Sequence, residues 1–134
     1  MEPRDAKVDT SSEIIRGYRD LVVWQKSMEL AQRIYETTGA FPREEVFGLS
    51  CQLRRASVSV PSNIAEGRSR RSTRDFLNYL SIAYGSLAEI ETQITLSRRL
   101  GYVSVEQEDS FLTLCGEIGR MLNGLSGSLR ERLG

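Results

Sequence analysis

The chain is 134 residues long, 40% hydrophobic and 27% charged, with 18 basic and 18 acidic side chains and a formal net charge of zero. That size and balance fit one compact domain with a single core and argue against two. No apolar run reaches the roughly 20 residues that span a bilayer, and the N-terminus MEPRDAKVDTSSEIIRG lacks the apolar stretch of a secretory signal, so a soluble cytoplasmic protein is expected.

The composition also narrows the chemistry. There is no histidine, which removes Ser-His-Asp and Cys-His nucleophile systems, imidazole-bound zinc and the Glu-x-x-His pairs of di-iron bundles. Cys51 and Cys115 stand 64 positions apart in no metal-binding spacing, so both read as reduced core thiols. Neither a phosphate-binding P-loop nor a GxGxxG turn after a strand is present. No catalytic residue, metal ligand or cofactor is expected.

In chain order, residues 1–17 read as a polar, mixed-charge disordered tail and residues 18–134 as the folded domain. Leu21, Trp24, Met28, Ala31 and Tyr35 recur at helical steps and predict a first helix that stops at Gly39 before Phe41-Pro42. Leu49, Leu53, Ala56, Val60 and Ile64 form the next stripe and keep their phase across Pro61. A continuous but kinked second helix over about 44–67 follows, with Gly67 as a left-handed cap. Ser72 and Asp75 open a third helix whose core line is Phe76, Leu80, Ala83, Leu87, Ile90 and Ile94, closed by Leu100-Gly101. Ser104 and Gln107 form a capping box for a fourth, carried by Phe111, Leu114, Ile118, Met121, Leu125 and Leu129. Its glycines 116, 119, 124 and 127 imply an end that is either frayed or closely packed. The expected fold is all-α, an up-and-down antiparallel four-helix bundle.

Two of these helices carry apolar residues away from the core as well. Cys51, Val58 and Ala65 lie more than about 100° from the main stripe of the second helix, and Ile82, Gly85 and Leu96 lie nearly opposite the core of the third. Scattered surface apolars are one explanation. A second buried face, made by self-association through Val58, Ala65, Ile82 and Leu96, is the other.

Residues 54–74 hold Arg54, Arg55, Arg68, Arg70, Arg71 and Arg74 against one acid, Glu66, a local +5 that leaves −5 for the rest of a neutral chain. Arginine forks grip phosphate in bidentate fashion, so this stretch is a candidate RNA- or DNA-binding end. The alternatives are a solvated helix end or pairing with carboxylates of a neighbouring subunit. No aromatic is interleaved among the arginines, so base stacking has no support there. Asn63, Glu66 and Glu91 are expected to satisfy one another, backbone groups near Pro61, or Arg98. An enzymatic reading would need Glu66 and Glu91 to share an open pocket.

The stretches YRDLVVWQKSMELAQRIYETTGAFPREE, FGLSCQLRRASVSVPSNIAEG, FLNYLSIAYGSLAEIETQ and RRLGYV together resemble the four-helix bundle family encoded in intervening sequences of bacterial 23S rRNA genes, also described as S23 ribosomal proteins. The resemblance covers about residues 18–103, and SVPSNIAEG and GSLAEIETQ are its most specific parts. It implies a homopentameric ring and no catalytic residues. A related branch, the accessory variability determinant of diversity-generating retroelements, binds nucleic acid and a reverse transcriptase through a strongly basic ring. This chain departs from that branch in its pI of about 6.3, which leaves only the local patch from Arg54 to Arg74 for phosphate. A non-catalytic homo-oligomer that binds RNA or DNA at its arginine-rich end is expected, with a protein-interaction scaffold as the alternative.

Overall fold

The computed structural model describes residues 17–133. The predicted tail therefore lies outside the described residues, apart from Gly17. The described residues form helices α1 (Gly17–Asp20), α2 (Val22–Thr38), α3 (Leu49–Arg68), α4 (Thr73–Arg99) and α5 (Val105–Leu133), with one 3₁₀ turn at Arg43–Glu45. None of them is a strand. Among the described residues, no helix is long and apolar enough to cross a membrane.

The four long helices pack in a square, each against the two that flank it, α2 closing on α5. Cross-helix bonds fix antiparallel directions. Gln93 Nε2 donates to Gln52 Oε1 at 3.3 Å and the Ser59 and Ser86 hydroxyls pair at 2.7 Å, so α3 descends as α4 rises. Arg33 donates to Ser110 and Lys26 pairs with Glu117 at 3.4 Å, which sets α2 against α5 in the same way.

The predicted stripes of the second and third helices are the core of α3 and α4. Leu49, Leu53, Ala56, Val60 and Ile64 face Phe76, Leu80, Ala83, Leu87, Ile90 and Ile94, all of them buried. On α5, Phe111, Leu114, Ile118 and Leu129 are buried as expected, joined by Cys115 and Leu122, while Met121 and Leu125 are half-buried. The fourth helix runs unbroken through its glycines to Leu133.

The first helix departs from its predicted face. Ala31 is buried and Leu21 and Trp24 are half-buried against the core as expected, but the core line is Val23, Ser27, Leu30, Ala31 and Ile34, whereas Met28 and Tyr35 are exposed. Ser27 sits in the core because its hydroxyl donates to the Val23 carbonyl at 2.7 Å, which removes the cost of burying it. The helix is also interrupted. Leu21 is extended (φ −73, ψ 124) and separates the single turn α1 from α2.

Pro61 lies inside α3, buried and without ending the helix. Gly67 does not act as a left-handed cap. It belongs to the helix, which closes on Ser69 (φ −83, ψ −9), and Gly101 (φ 83) is the sole residue with positive φ among those described. At Gly101 the Tyr102 N–H donates to Ser97 O at 2.8 Å and the Gly101 N–H to Arg98 O at 3.0 Å, the paired bonds that close a helix on a left-handed glycine. The two predicted N-terminal caps form: Asp75 N–H donates to Ser72 Oγ at 3.0 Å, and Ser104 and Gln107 exchange bonds of 2.8 and 3.0 Å.

Candidate nucleic-acid interface

The end of the bundle where α3 turns into α4 gathers four segments. The α3–α4 turn is there, and antiparallel packing brings α1, the start of α2 and the last turns of α5 to the same end. Arg68, Arg70, Arg71 and Arg74 stand on or beside that turn, with Arg70, Arg71 and Arg74 exposed and Arg68 half-buried. The α5 terminus adds Arg132, which no local reading of residues 54–74 could have found.

The six predicted arginines do not form one patch. Arg54 lies 14 positions before Arg68 on a continuous helix, about 21 Å along its axis. It is also engaged: its Nε donates to Thr38 Oγ1 at 2.8 Å, its Nη2 donates to Tyr35 O at 3.2 Å, and its guanidinium lies 4.7 Å from the centre of the Tyr35 ring. Arg54 thus satisfies the carbonyl end of α2, a common use of arginine at a helix C-terminus. Arg55 is exposed beside the α3–α4 groove, near Glu89, on the same distant part of α3. Of the six, only Arg68, Arg70, Arg71 and Arg74 occupy the turn end.

An aromatic does lie among these four, contrary to the sequence reading. Tyr79, one turn beyond Phe76 on α4, carries Arg70 over its ring at 5.0 Å, and Arg70 Nη2 donates to the Tyr79 hydroxyl at 2.6 Å. The same nitrogen reaches Glu66 Oε2 at 2.8 Å. The hydrogen bond to Glu66, followed by the proximity of Tyr79, holds the Arg70 guanidinium still more firmly in its charged form. On the neighbouring α1, Arg19 lies over Tyr18 and Trp24, whose rings meet edge to face at 5.4 Å. Basic groups interleaved with aromatic faces are what single-stranded nucleic acid uses for backbone and base together.

α1 is held there by close contact. A Cβ on Gly17 would fall 2.8 Å from Arg68 Nε, so the guanidinium of Arg68 lies flat against the glycine backbone.

The polar candidates separate. Asn63 Nδ2 donates to the Ser59 carbonyl at 2.8 Å and to Ser59 Oγ at 2.9 Å, extending the Ser59–Ser86 link between α3 and α4. Glu66 serves Arg70. Glu91 stands 18 positions along α4 from Thr73, about 27 Å from the turn end, in a groove with Cys115, Gly116, Gly119 and Arg120. The expected link from Glu91 to Arg98 is replaced by a bond from Arg98 Nε to Glu108 Oε1 at 3.0 Å. Glu66 and Glu91 therefore share no pocket.

The second apolar faces are open on the single chain. Val58, Ile82 and Leu96 are 43%, 45% and 45% exposed, while Ala65 is half-buried. A further residue went unnoticed in the sequence: Phe47, in the turn before α3, is 93% exposed beside the exposed Val46.

Comparison with known proteins places these features in context. The family model of the 23S rRNA-intervening sequence protein matches residues 19–124, which extends beyond the 18–103 of the sequence resemblance into α5. A crystal structure of a protein of unknown function from the S23 ribosomal protein family of Bacteroides thetaiotaomicron VPI-5482 superposes with a TM-score of 0.73 at 32% identity, covering 79% of this chain and 96% of that one. No curated protein sequence matches the chain.

Proposed function

Because the chain belongs to the family of 23S rRNA-intervening sequence proteins, we propose that it is a non-catalytic bundle that binds RNA or DNA in the cytoplasm through its arginine-rich turn end. The observation that carries this reading is the convergence of Arg68, Arg70, Arg71, Arg74 and Arg132 beside Tyr79 and Phe76. Cationic forks give affinity for the phosphate backbone, and the Arg70 guanidinium laid over the Tyr79 ring presents a flat cationic surface at the same end. In a chain with no net charge, binding is confined to this end and not spread over the surface.

The bundle is further proposed to act as a homo-oligomer, a pentameric ring in line with the family resemblance. The exposed Val58, Ile82 and Leu96 support it, since exposed apolar side chains lose their contact with water when a second copy covers them. A ring would repeat the arginine end around an axis and multiply weak phosphate contacts by avidity.

The test is filter binding of a structured RNA at low salt. Replacing Arg68, Arg70, Arg71 and Arg74 by glutamine should remove most binding, while Arg54→Gln with Arg55→Gln should retain it. Equal loss in both variants would contradict the assignment to the turn end. A second reading, a scaffold that meets nucleic acid only through a partner, draws support from Phe47, whose 93% exposure suits a side chain covered by another protein. Intact partner assembly with no RNA binding at any salt would favour it.

A further inference from the structure

The turn end is more than a charged surface. Between α5 and the α3–α4 turn lies a pocket of ≈ 330 Å³ whose rim carries Arg68, Arg70, Arg71 and Arg132. Its floor carries apolar side chains, Leu21 from the α1–α2 junction, Phe76 from α4, and Leu125 and Leu129 from α5, with the polar Ser72 and Thr73 of the turn completing the lining. Phe76 and Leu129 are buried core residues, and Leu21 and Leu125 are half-buried, so the floor is the exposed edge of the core itself.

A rim of guanidinium groups above an apolar floor is complementary to a ligand with the same division, an anionic group attached to a flat, weakly polar body. The volume falls within the range of about 300–1,000 Å³ typical of small-molecule pockets. A bare phosphate would satisfy the rim and leave the floor wet. An acidic peptide without aromatic side chains carries charge but no flat body to cover Leu125 and Leu129. We infer that the pocket receives a terminal nucleotide, with the 5′-phosphate held by Arg68, Arg71 and Arg132 and the base lying over Leu21, Phe76 and Leu125. This rests on the nucleic-acid reading above and narrows it to chain ends.

The preference for an end has two causes. The walls come from four segments of the chain, so a continuous strand would lie across the mouth, whereas a terminal nucleotide can enter. A terminal phosphate monoester also carries about −1.5 to −2 charges near neutral pH, against −1 for an internal diester, and the guanidinium rim favours the greater charge. Arg70 contributes as a fixed cation, because Glu66 and Tyr79 already hold its guanidinium in place.

Calorimetric titration of the full chain tests this with 5′-AMP, adenosine, inorganic phosphate, an acidic peptide, and one short single-stranded RNA in 5′-phosphorylated and 5′-hydroxyl forms. The 5′-phosphorylated RNA should bind about tenfold more tightly than its hydroxyl counterpart, and 5′-AMP more tightly than adenosine or phosphate. Arg132→Gln, an exposed substitution on the last turn of α5, should erase both differences. Arg55→Gln, exposed on the distant part of α3 and outside the pocket, should leave them. Equal affinity of the two RNA forms, with duplex RNA still bound, would overturn the pocket assignment and leave the phosphate-binding end standing. Selective 5′-AMP binding without any duplex binding would uphold the pocket and defeat the broader reading. Binding of the acidic peptide in place of 5′-AMP would overturn the nucleotide assignment.

Discussion

Gly67 and Tyr79 approach so closely that a Cβ on the glycine would stand 2.7 Å from the Tyr79 Cβ, with Phe76 Cδ1 at 2.9 Å. This contact seats the end of α3 on the start of α4. Through Tyr79 it also fixes the ring on which Arg70 lies. The glycine is needed for space, since its backbone is ordinary right-handed helix.

Gly67→Ala should therefore destabilise the bundle by about 1–3 kcal/mol through overpacking, although alanine is the better helix former. Gly124 provides the control. Nothing lies within 4 Å of a Cβ built there, so Gly124→Ala should stabilise by up to about 1 kcal/mol. Urea denaturation of both variants checks the pair, and a stabilised Gly67→Ala would show that the helices separate more easily than the packing implies.

How far the sequence could be read follows from which interactions are local. The stripes of α3 and α4 were legible because every position in them is apolar. The caps at Ser72, Ser104 and Gly101 were legible because each depends on residues within a few positions. The face of α2 was not, because Ser27 occupies a core position by bonding to its own helix while Met28 and Tyr35 point outward. Gly67 was misread because a demand for space comes from another helix and leaves no local trace. The basic end was half legible: the turn arginines adjoin in sequence, but Arg132, Tyr79 and Phe76 reach them only through the fold, and Arg54 is carried away along α3.

Two groups predict how stability varies with pH. Burial, and then the Glu91 carboxylate, push the Cys115 thiol up to about 12. The unfolded thiol ionises first, so the folded state loses stability from about pH 9 upward. Cys115→Ala should lose less between about pH 9 and 11, as read by denaturation at each pH. Matching slopes would mean the thiol ionises while folded. At the acid end, hydrogen bonding to Thr95 and then to Arg98 holds the Glu108 carboxyl below its usual range against an opposing desolvation. That contribution is present above the ordinary carboxyl pKa and is lost as pH falls through the lowered one. Glu108→Gln should flatten the acid limb of the profile.

Self-association should depend on the outer faces of α3 and α4. Val58→Arg together with Ala65→Glu should reduce the sedimentation coefficient to that of a single chain without loss of helicity, because Val58 is exposed and Ala65 only half-buried in the bundle. Phe47→Asp, in the turn before α3, distinguishes a second use of the surface. If Phe47 meets a different partner, that variant should keep the oligomer intact. A single-chain sedimentation coefficient for the unmutated protein at micromolar concentration would end this proposal.

The central claim is that the turn arginines bind phosphate. It is tested most directly by the salt dependence of structured-RNA binding to the unmutated protein. About four phosphate contacts on a duplex give a log-log slope near −3 to −4, and replacing Arg68, Arg70, Arg71 and Arg74 by glutamine should bring that slope towards zero while light scattering reports an unchanged oligomer. A slope that survives the substitution, or no detectable RNA binding at low salt, would contradict the account.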